Sequence, residues 1–155
     1  MRGLPSITWE TDESWHKALE PVYVPLFGRK LAVTVHREAD TATEFQLQAL
    51  AQILAIPKGA TTNLTHRLAL ECWRSYSDET EIQVRDEVWN HVEVTDLLVP
   101  KHAKSQDRYC FVSGECDWDP EHGFDLLYKN GELFEVGQQR GLALNEEWQL
   151  YYISE

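Results

Sequence analysis

Apolar and polar residues alternate twice in the N-terminal third of the chain, on either side of a glycine. The alternating apolar positions are Val22, Val24, Leu26, Leu31, Val33 and Val35. A period of two is typical of a half-buried strand, and Gly28 between the two runs favours a turn. We therefore expect a β-hairpin, and Pro21 and Pro25 place its first strand at a sheet edge because proline cannot donate to a ladder.

The apolar period then lengthens to that of two consecutive helices. Thr43 and Gln46 form a capping-box pattern, in which the hydroxyl and the amide each satisfy a backbone group at the helix start. The apolar positions behind it are Leu47, Leu50, Ile53 and Leu54. After the stop signal at Pro57 and Gly59, a second helix is predicted over Asn63 to Ser77. Its apolar face is marked at intervals of four residues by Leu64, Leu68, Cys72 and Tyr76. The pair predicts a helical hairpin.

Short apolar runs separated by turn residues return in the C-terminal part. The runs predicted as strands are Tyr109–Gly114, Phe124–Tyr128, Leu133–Val136 and Trp148–Ile153, and a further apolar run, Asp96–Val99, ends at Pro100. Asn130-Gly131 between two of them is a strong hairpin signal, since both turn residues must take a positive φ. The sequence thus predicts one α+β domain over residues 1–155, made of an N-terminal β-hairpin, a central helical hairpin and a C-terminal antiparallel β-meander.

The charge excludes some classes of partner. The 155 residues carry a net charge of −12, and residues 115–155 alone hold ten acidic and two basic side chains. Such a chain is unsuited to nucleic acid or to an anionic membrane surface, both of which require basic residues. An acidic region attracts basic partners and accelerates their association. The plain alternative is a solvated surface that only keeps the protein in solution.

The N-terminus and the cysteines indicate the compartment. The opening residues, Met1 to Ser6, have neither the apolar segment nor the small-residue cleavage site of a signal peptide. Three cysteines, an odd number, argue against a disulfide framework. We expect a cytoplasmic protein.

The segment Glu115–Gly123 concentrates the residues that could carry chemistry. It holds four carboxylates, the thiol of Cys116 and the imidazole of His122 within nine positions. Asp117 and Asp119 can bind a hard cation or, as turn residues, the nearby backbone. The loop lacks the central glycine and the closing glutamate of an EF-hand, and zinc would need further ligands at suitable spacing. No metal and no cofactor is predicted, and Cys116 with His122 remains a possible nucleophile pair only if geometry brings them together.

Three stretches resemble a bacterial family of uncharacterised domains that recurs among immunity proteins of polymorphic-toxin systems. The first is the predicted hairpin, over Pro25 to Val33. The second is the helix pair, with Gln46 to Leu50 and Trp73 to Tyr76. The third is Gly114 to Gly123, which contains Trp-Asp-Pro-Glu-His-Gly and is followed by a hairpin and Val136-Gly137. The resemblance implies a small cytoplasmic α+β protein, often encoded beside a toxin, and it implies no catalytic residues.

Charge and resemblance lead to the same hypothesis, a cytoplasmic immunity protein that binds and neutralises a basic toxin domain. The acidic side chains expected to contact it are Asp117, Asp119, Glu121, Glu132, Glu135, Glu146 and Glu147. The alternative is a small metal-dependent or hydrolytic enzyme that uses the Asp117–His122 turn. A structural domain with a solvated acidic surface is a third possibility. The sequence does not determine the oligomeric state.

Overall fold

The computed structural model describes residues 4–76, 85–101 and 106–138, and within these ranges it shows eight strands, two α-helices and a 3₁₀-helix. The strands are β1 Trp9–Thr11, β2 Trp15–Ala18, β3 Val22–Val24, β4 Arg29–His36, β5 Val92–Val99, β6 Tyr109–Cys116, β7 Phe124–Lys129 and β8 Glu132–Gln138. The helices are α1 Glu44–Leu54 and α2 Thr62–Tyr76, and the 3₁₀-helix covers Arg85–His91. The fold class is α+β, as the sequence predicts.

The predicted N-terminal hairpin corresponds to β3 and β4. They pair antiparallel from Val22 opposite Leu31 to Val24 opposite Arg29, and Gly28 in the connection has a φ of 65°. The prediction of an edge position is confirmed, because among the described strands β3 pairs only with β4 and lies off the main strand order. Strands β1 and β2, which precede this hairpin, are a finding of the structure that the alternation does not reveal.

All strands belong to one sheet with the order β1-β2-β4-β5-β6-β7-β8. Every pair is antiparallel except β4 and β5, which run parallel from Ala32 opposite Asp96 to Val35 opposite Val99. A parallel pair needs a long crossover, and here the two α-helices and the 3₁₀-helix provide it. This helical segment is therefore an insertion that carries the chain back to the same end of the sheet.

The helices start and pack as the pattern predicts. The capping box is present, with the Gln46 backbone N–H donating to the Thr43 hydroxyl and the Gln46 side chain accepting from the Thr43 backbone. The apolar face buries Leu50, Ile53 and Leu54 from α1, whereas Leu47 is only partly buried. From α2, the residues buried in the core are Leu64, Leu68 and Ala69. The side chains of Cys72 and Tyr76 and the predicted end at Ser77 lie outside the described residues.

The C-terminal meander is present as β5 to β8, with longer strands than the apolar runs indicate. Asn130 and Gly131 have φ values of 51° and 82°, so the turn between β7 and β8 has the predicted backbone. Strand β5, which contains the apolar run Asp96–Val99, begins at Val92, and β6 extends to Cys116. The predicted strand at Trp148–Ile153 lies outside the described residues.

The core fills the space between the helices and one face of the sheet, and a β-bulge in β5 adjusts that face. Val94 pairs with Gly114 but Asp96 pairs with Ser113, so one extra residue is accommodated between them. The bulge places Val94 and Leu97 in the same core although they are three positions apart. Phe111 on β6 and Leu127 on β7 are buried as well, and by alternation they lie on the opposite face.

The α-helices of the described ranges fall short of the length and apolar character that crossing a membrane requires.

Candidate functional site

The turn between β6 and β7 is built around Asp119. One oxygen of its carboxylate, Oδ1, accepts from the backbone N–H of His122 at 3.2 Å and contacts Nδ1 of the His122 ring at 3.0 Å. Its carbonyl oxygen accepts from the backbone N–H of Gly123 at 2.8 Å, and Gly123 has a φ of 70°. Asp119 and Gly123 therefore stabilise the turn, as aspartate and glycine commonly do.

Asp117 connects this turn to the start of β5. Its backbone N–H donates to the carbonyl oxygen of His91 at 3.0 Å, and its Oδ2 lies 2.9 Å from Nδ1 of the His91 ring. The Asp117 side chain nevertheless remains 61% exposed. It can thus hold the loop and still present negative charge to solvent.

Cys116 does not have the surroundings of a nucleophile. The side chain is buried, and its thiol lies 3.9 Å from the carbonyl oxygen of Asp119. Desolvation raises the pKa of Cys116 to about 11, so the reactive thiolate is scarce at neutral pH. His122 is 55% exposed and directs its Nδ1 toward Asp119. A thiol–imidazole pair is therefore not assembled by these contacts.

A metal centre is not assembled in the described part of the chain either. Within residues 4–76, 85–101 and 106–138, no three His, Cys, Asp or Glu side chains converge in a way that could hold a metal ion. Asp117 and Asp119 contact different histidines, His91 and His122. The geometry of the turn therefore favours a structural role for its contacts.

The structure divides the predicted acidic residues among separate places. Asp117, Asp119 and Glu121 share the β6–β7 turn, whereas Glu132 lies beside the Asn130-Gly131 turn at the other end of β7. Six residues of strand separate these ends, which is about 20 Å. Glu135 lies along β8, 3.9 Å from the Arg67 guanidinium. Glu146 and Glu147 lie outside the described residues.

Two further carboxylates belong to the end of the sheet that carries the β6–β7 turn. Glu93 on β5 and Glu115 on β6 are register partners and both are exposed. Like charges directly opposite one another destabilise a strand pair. Arg29 offsets part of this repulsion, with its Nη2 3.4 Å from Glu93 Oε1. We name Glu93, Glu115, Asp117 and Glu121 the acidic end.

Sequence reasoning misses this pairing for a clear reason. Glu115 belongs to the conspicuous motif, but Glu93 lies 22 positions earlier, in a segment without a distinctive pattern. Only the register of β5 against β6 brings them together. The signal available in the sequence was the alternation of Val92, Glu93 and Val94, in which the charged Glu93 marks a solvent-facing position of a strand.

One other carboxylate is buried close to this region. Asp125 on β7 is 3% exposed, and its Oδ1 accepts from the Ser113 hydroxyl at 2.5 Å. The two residues are register partners on neighbouring strands. A carboxylate with a hydrogen-bond donor can be buried at tolerable cost, so Asp125 contributes to the interior and not to the acidic end.

Comparison with known proteins gives a family but no activity. No curated protein and no solved structure matches the chain. One family model, described as a domain of unknown function, matches residues 5–144. That range includes every described strand and helix and all four residues of the acidic end. The chain therefore belongs to the DUF6985 family.

Proposed function

We propose that this chain is a cytoplasmic immunity protein that binds a basic bacterial toxin domain through the acidic end and neutralises it. The observation that carries the proposal is the unfavourable pairing of Glu93 with Glu115. A fold has no stability to gain from two exposed carboxylates directly opposite each other. A cationic partner would remove this repulsion on binding. The free energy by which the repulsion destabilises the free protein would then favour the complex.

The charge of the whole molecule supports the same mode of binding. The net charge of −12 attracts a basic chain over a distance, and the acidic end orients it at close range. Electrostatic steering of this kind raises association rates to about 10⁸–10⁹ M⁻¹s⁻¹ at low salt. Fast capture suits an inhibitor that must bind its target before the target acts.

A small apolar pocket next to the acidic end offers an anchor point. It has a volume of about 230 Å³ and includes Phe27, Trp89 and Val94 among its lining residues. Arg29 also lines it and contacts Glu93, which joins the pocket to the acidic end. Tight complexes depend on a few desolvated anchor side chains. We propose that one apolar side chain of the toxin enters this pocket.

The proposal is tested with two variants that remove the same number of charges from opposite ends of the sheet. Glu93→Gln/Glu115→Gln/Glu121→Gln removes three charges from the acidic end. Glu10→Gln/Glu13→Gln/Asp40→Asn removes three exposed charges elsewhere. Glu13 precedes β2, and Asp40 follows β4. Because β4 and β5 are parallel, the C-terminal end of β4 lies far from Glu93 at the start of β5.

Each toxin-like product encoded beside the gene for this chain is expressed in a bacterial host, alone and with the two variants. The unaltered chain should restore growth, and the purified pair should associate more slowly as salt increases. We expect the acidic-end variant to reduce the association rate by about tenfold or more and to flatten the salt dependence. The control variant should retain most of both. Equal effects of the two variants, or no rescue by the unaltered chain, would contradict the proposal.

A further inference from the structure

A groove in the N-terminal part of the molecule is separate from the acidic end. It has a volume of about 740 Å³, and its two walls are formed by residues 4–8 and by residues 19–25 without Val24. The two walls are joined where the Leu19 backbone N–H donates to the Thr8 carbonyl oxygen at 2.9 Å. Leu54, the last residue of α1, also lines the groove. The groove is thus held between two segments of the chain and the end of a helix.

Two large apolar side chains are exposed to solvent at this groove. Leu19 is 57% exposed and Tyr23 is 51% exposed, and both line it. They are two of the four large apolar side chains exposed in the described part of the chain, the others being Leu70 and Phe134. Burying such side chains against a ligand is favourable by about 25 cal/mol per Å² of apolar surface.

Three prolines restrict the backbone of the groove walls, which lowers the cost of binding. Pro5, Pro21 and Pro25 lie in its walls, and each fixes its own φ. A wall that is already rigid loses little conformational entropy when a ligand enters. Preorganisation of this kind is typical of a binding site and is not required of a solvated surface.

The size and the charge of the groove indicate the class of ligand. A volume of this size falls within the range of small-molecule sites, about 300–1,000 Å³. Among the described residues that line it, Glu20 carries the one charged side chain. Together with the net charge of −12, Glu20 disfavours an anionic ligand and favours a positive one. The hydroxyls of Ser6, Thr8 and Tyr23 can provide hydrogen bonds.

We propose that this groove binds a small amphipathic cation, with the apolar body of the ligand against Leu19 and Tyr23 and its positive group near Glu20. This inference is independent of toxin binding at the acidic end. It concerns a different part of the molecule, formed by the N-terminal segments and the end of α1.

The test uses three probes with the same apolar chain and different head groups: octyltrimethylammonium, octanol and octyl sulfate. The two ionic probes are titrated into the full-length protein below their micelle concentrations and octanol below its solubility limit, and binding is followed by calorimetry and by backbone amide NMR shifts. We expect saturable binding of the cation, at least about tenfold tighter than that of the sulfate. The amide shifts should concentrate in residues 4–8 and 19–25.

Two double variants provide the matched control, since each removes two exposed apolar side chains. Leu19→Ser/Tyr23→Ser should weaken binding of the cation by about tenfold or more, whereas Leu70→Ser/Phe134→Ser should leave it unchanged. Glu20→Gln should bring the affinities for the cation and for octanol close together. Leu19→Ser alone serves if the double variant does not fold, which circular dichroism would show.

Three results would overturn the inference. The first is the absence of saturable binding of octyltrimethylammonium. The second is equal affinity for the cation and for octyl sulfate, which would remove the assigned role of Glu20. The third is an equal loss of affinity in the two double variants, which would place binding outside the groove.

Discussion

His36 shows how a single buried side chain makes stability depend on pH. It is the last residue of β4, is 7% exposed, and packs edge-on against the Trp15 ring with ring centroids 4.7 Å apart. Burial, assisted by the positive charge of Lys101, lowers the pKa of His36 from 6.5 to about 4. The imidazole is therefore neutral in the folded protein at neutral and mildly acidic pH.

The expected consequence is a loss of stability under mildly acidic conditions. The unfolded chain binds a proton at His36 below about pH 6.5, and the folded chain binds it only near pH 4. The contribution of His36 is complete above pH 6.5. It falls as the pH drops from 6.5 to 4, by up to about 3 kcal/mol. Urea unfolding between pH 7 and pH 4.5 measures this slope.

A variant and a direct titration separate His36 from other acid-sensitive groups. His36→Gln should reduce the slope of unfolding free energy against pH, whatever it does to the absolute stability. The ring signals of His36 in an NMR titration should keep their neutral positions down to about pH 5, given a pKa of about 4. A midpoint near 6.5 would show that this ring is not desolvated.

At the scale of elements, Gln46 links the start of α1 to two strands. Its side-chain oxygen accepts from the Thr43 backbone N–H at 3.1 Å. Its Nε2 donates to the carbonyl oxygens of His36 and Pro100, at 2.7 Å and 3.1 Å. His36 ends β4 and Pro100 follows β5, so one amide fastens the helix to the ends of the parallel pair. Only an amide can donate and accept in this way.

Gln46→Glu therefore distinguishes the role of Gln46 in the capping box from its hydrogen bonds to the two strand ends. A glutamate is as suitable as glutamine in a capping box, so helix propensity alone predicts no loss. The fold predicts a loss of about 2–4 kcal/mol, because the carboxylate is buried and faces two carbonyl oxygens with no proton to donate. Chemical denaturation measures the difference.

The matched control lies one half-turn along the same helix. Gln48 accepts from the Arg108 Nε at 2.8 Å through its side-chain oxygen. Gln48→Glu keeps that acceptor and adds an opposite charge, so it should be neutral or slightly stabilising. If both variants lost the same free energy, the bridge from Gln46 to His36 and Pro100 would not be the cause.

At the scale of the whole molecule, negative charge is placed where it does not help the fold. Glu115 lies opposite Glu93 on β5, whereas Glu10 on β1 lies opposite Lys17 on β2. All four residues are exposed. The first pair is repulsive and the second attractive, within the same sheet. This contrast allows the cost of the acidic end to be measured.

Glu115→Gln should stabilise the protein by about 0.2–0.5 kcal/mol at low salt, because it removes a cross-strand repulsion. Glu10→Gln, which breaks a favourable pair and makes the same change of charge, should destabilise it by a similar amount. Both effects should fade near 1 M salt, where the screening length is about 3 Å. Thermal unfolding at two salt concentrations measures them.

If Glu115→Gln and Glu10→Gln both stabilised the protein, the cause would be the lower net charge alone. The repulsion between Glu93 and Glu115 would then have no measurable cost, and the main argument for a cationic partner at the acidic end would fail.

The sequence by itself determined those features that depend on neighbours along the chain. The turn at Gly28, the capping box at Thr43 and the Asn130-Gly131 hairpin are confirmed because each depends on the conformational preference of one or two residues. The α+β class follows from periods of two and of 3.6, which are local as well. The net negative charge follows from the number of acidic and basic residues alone.

Only the tertiary structure decided which distant residues meet. The parallel pairing of β4 with β5 brings together segments more than 60 residues apart, and the bulge in β5 sets which of its side chains enter the core. The same register places Glu93 against Glu115 and separates the β6–β7 turn from Glu132. The groove between residues 4–8 and 19–25 likewise depends on how two segments separated along the chain lie against each other. Such contacts follow from packing and strand register across the whole sheet, and no local preference encodes them.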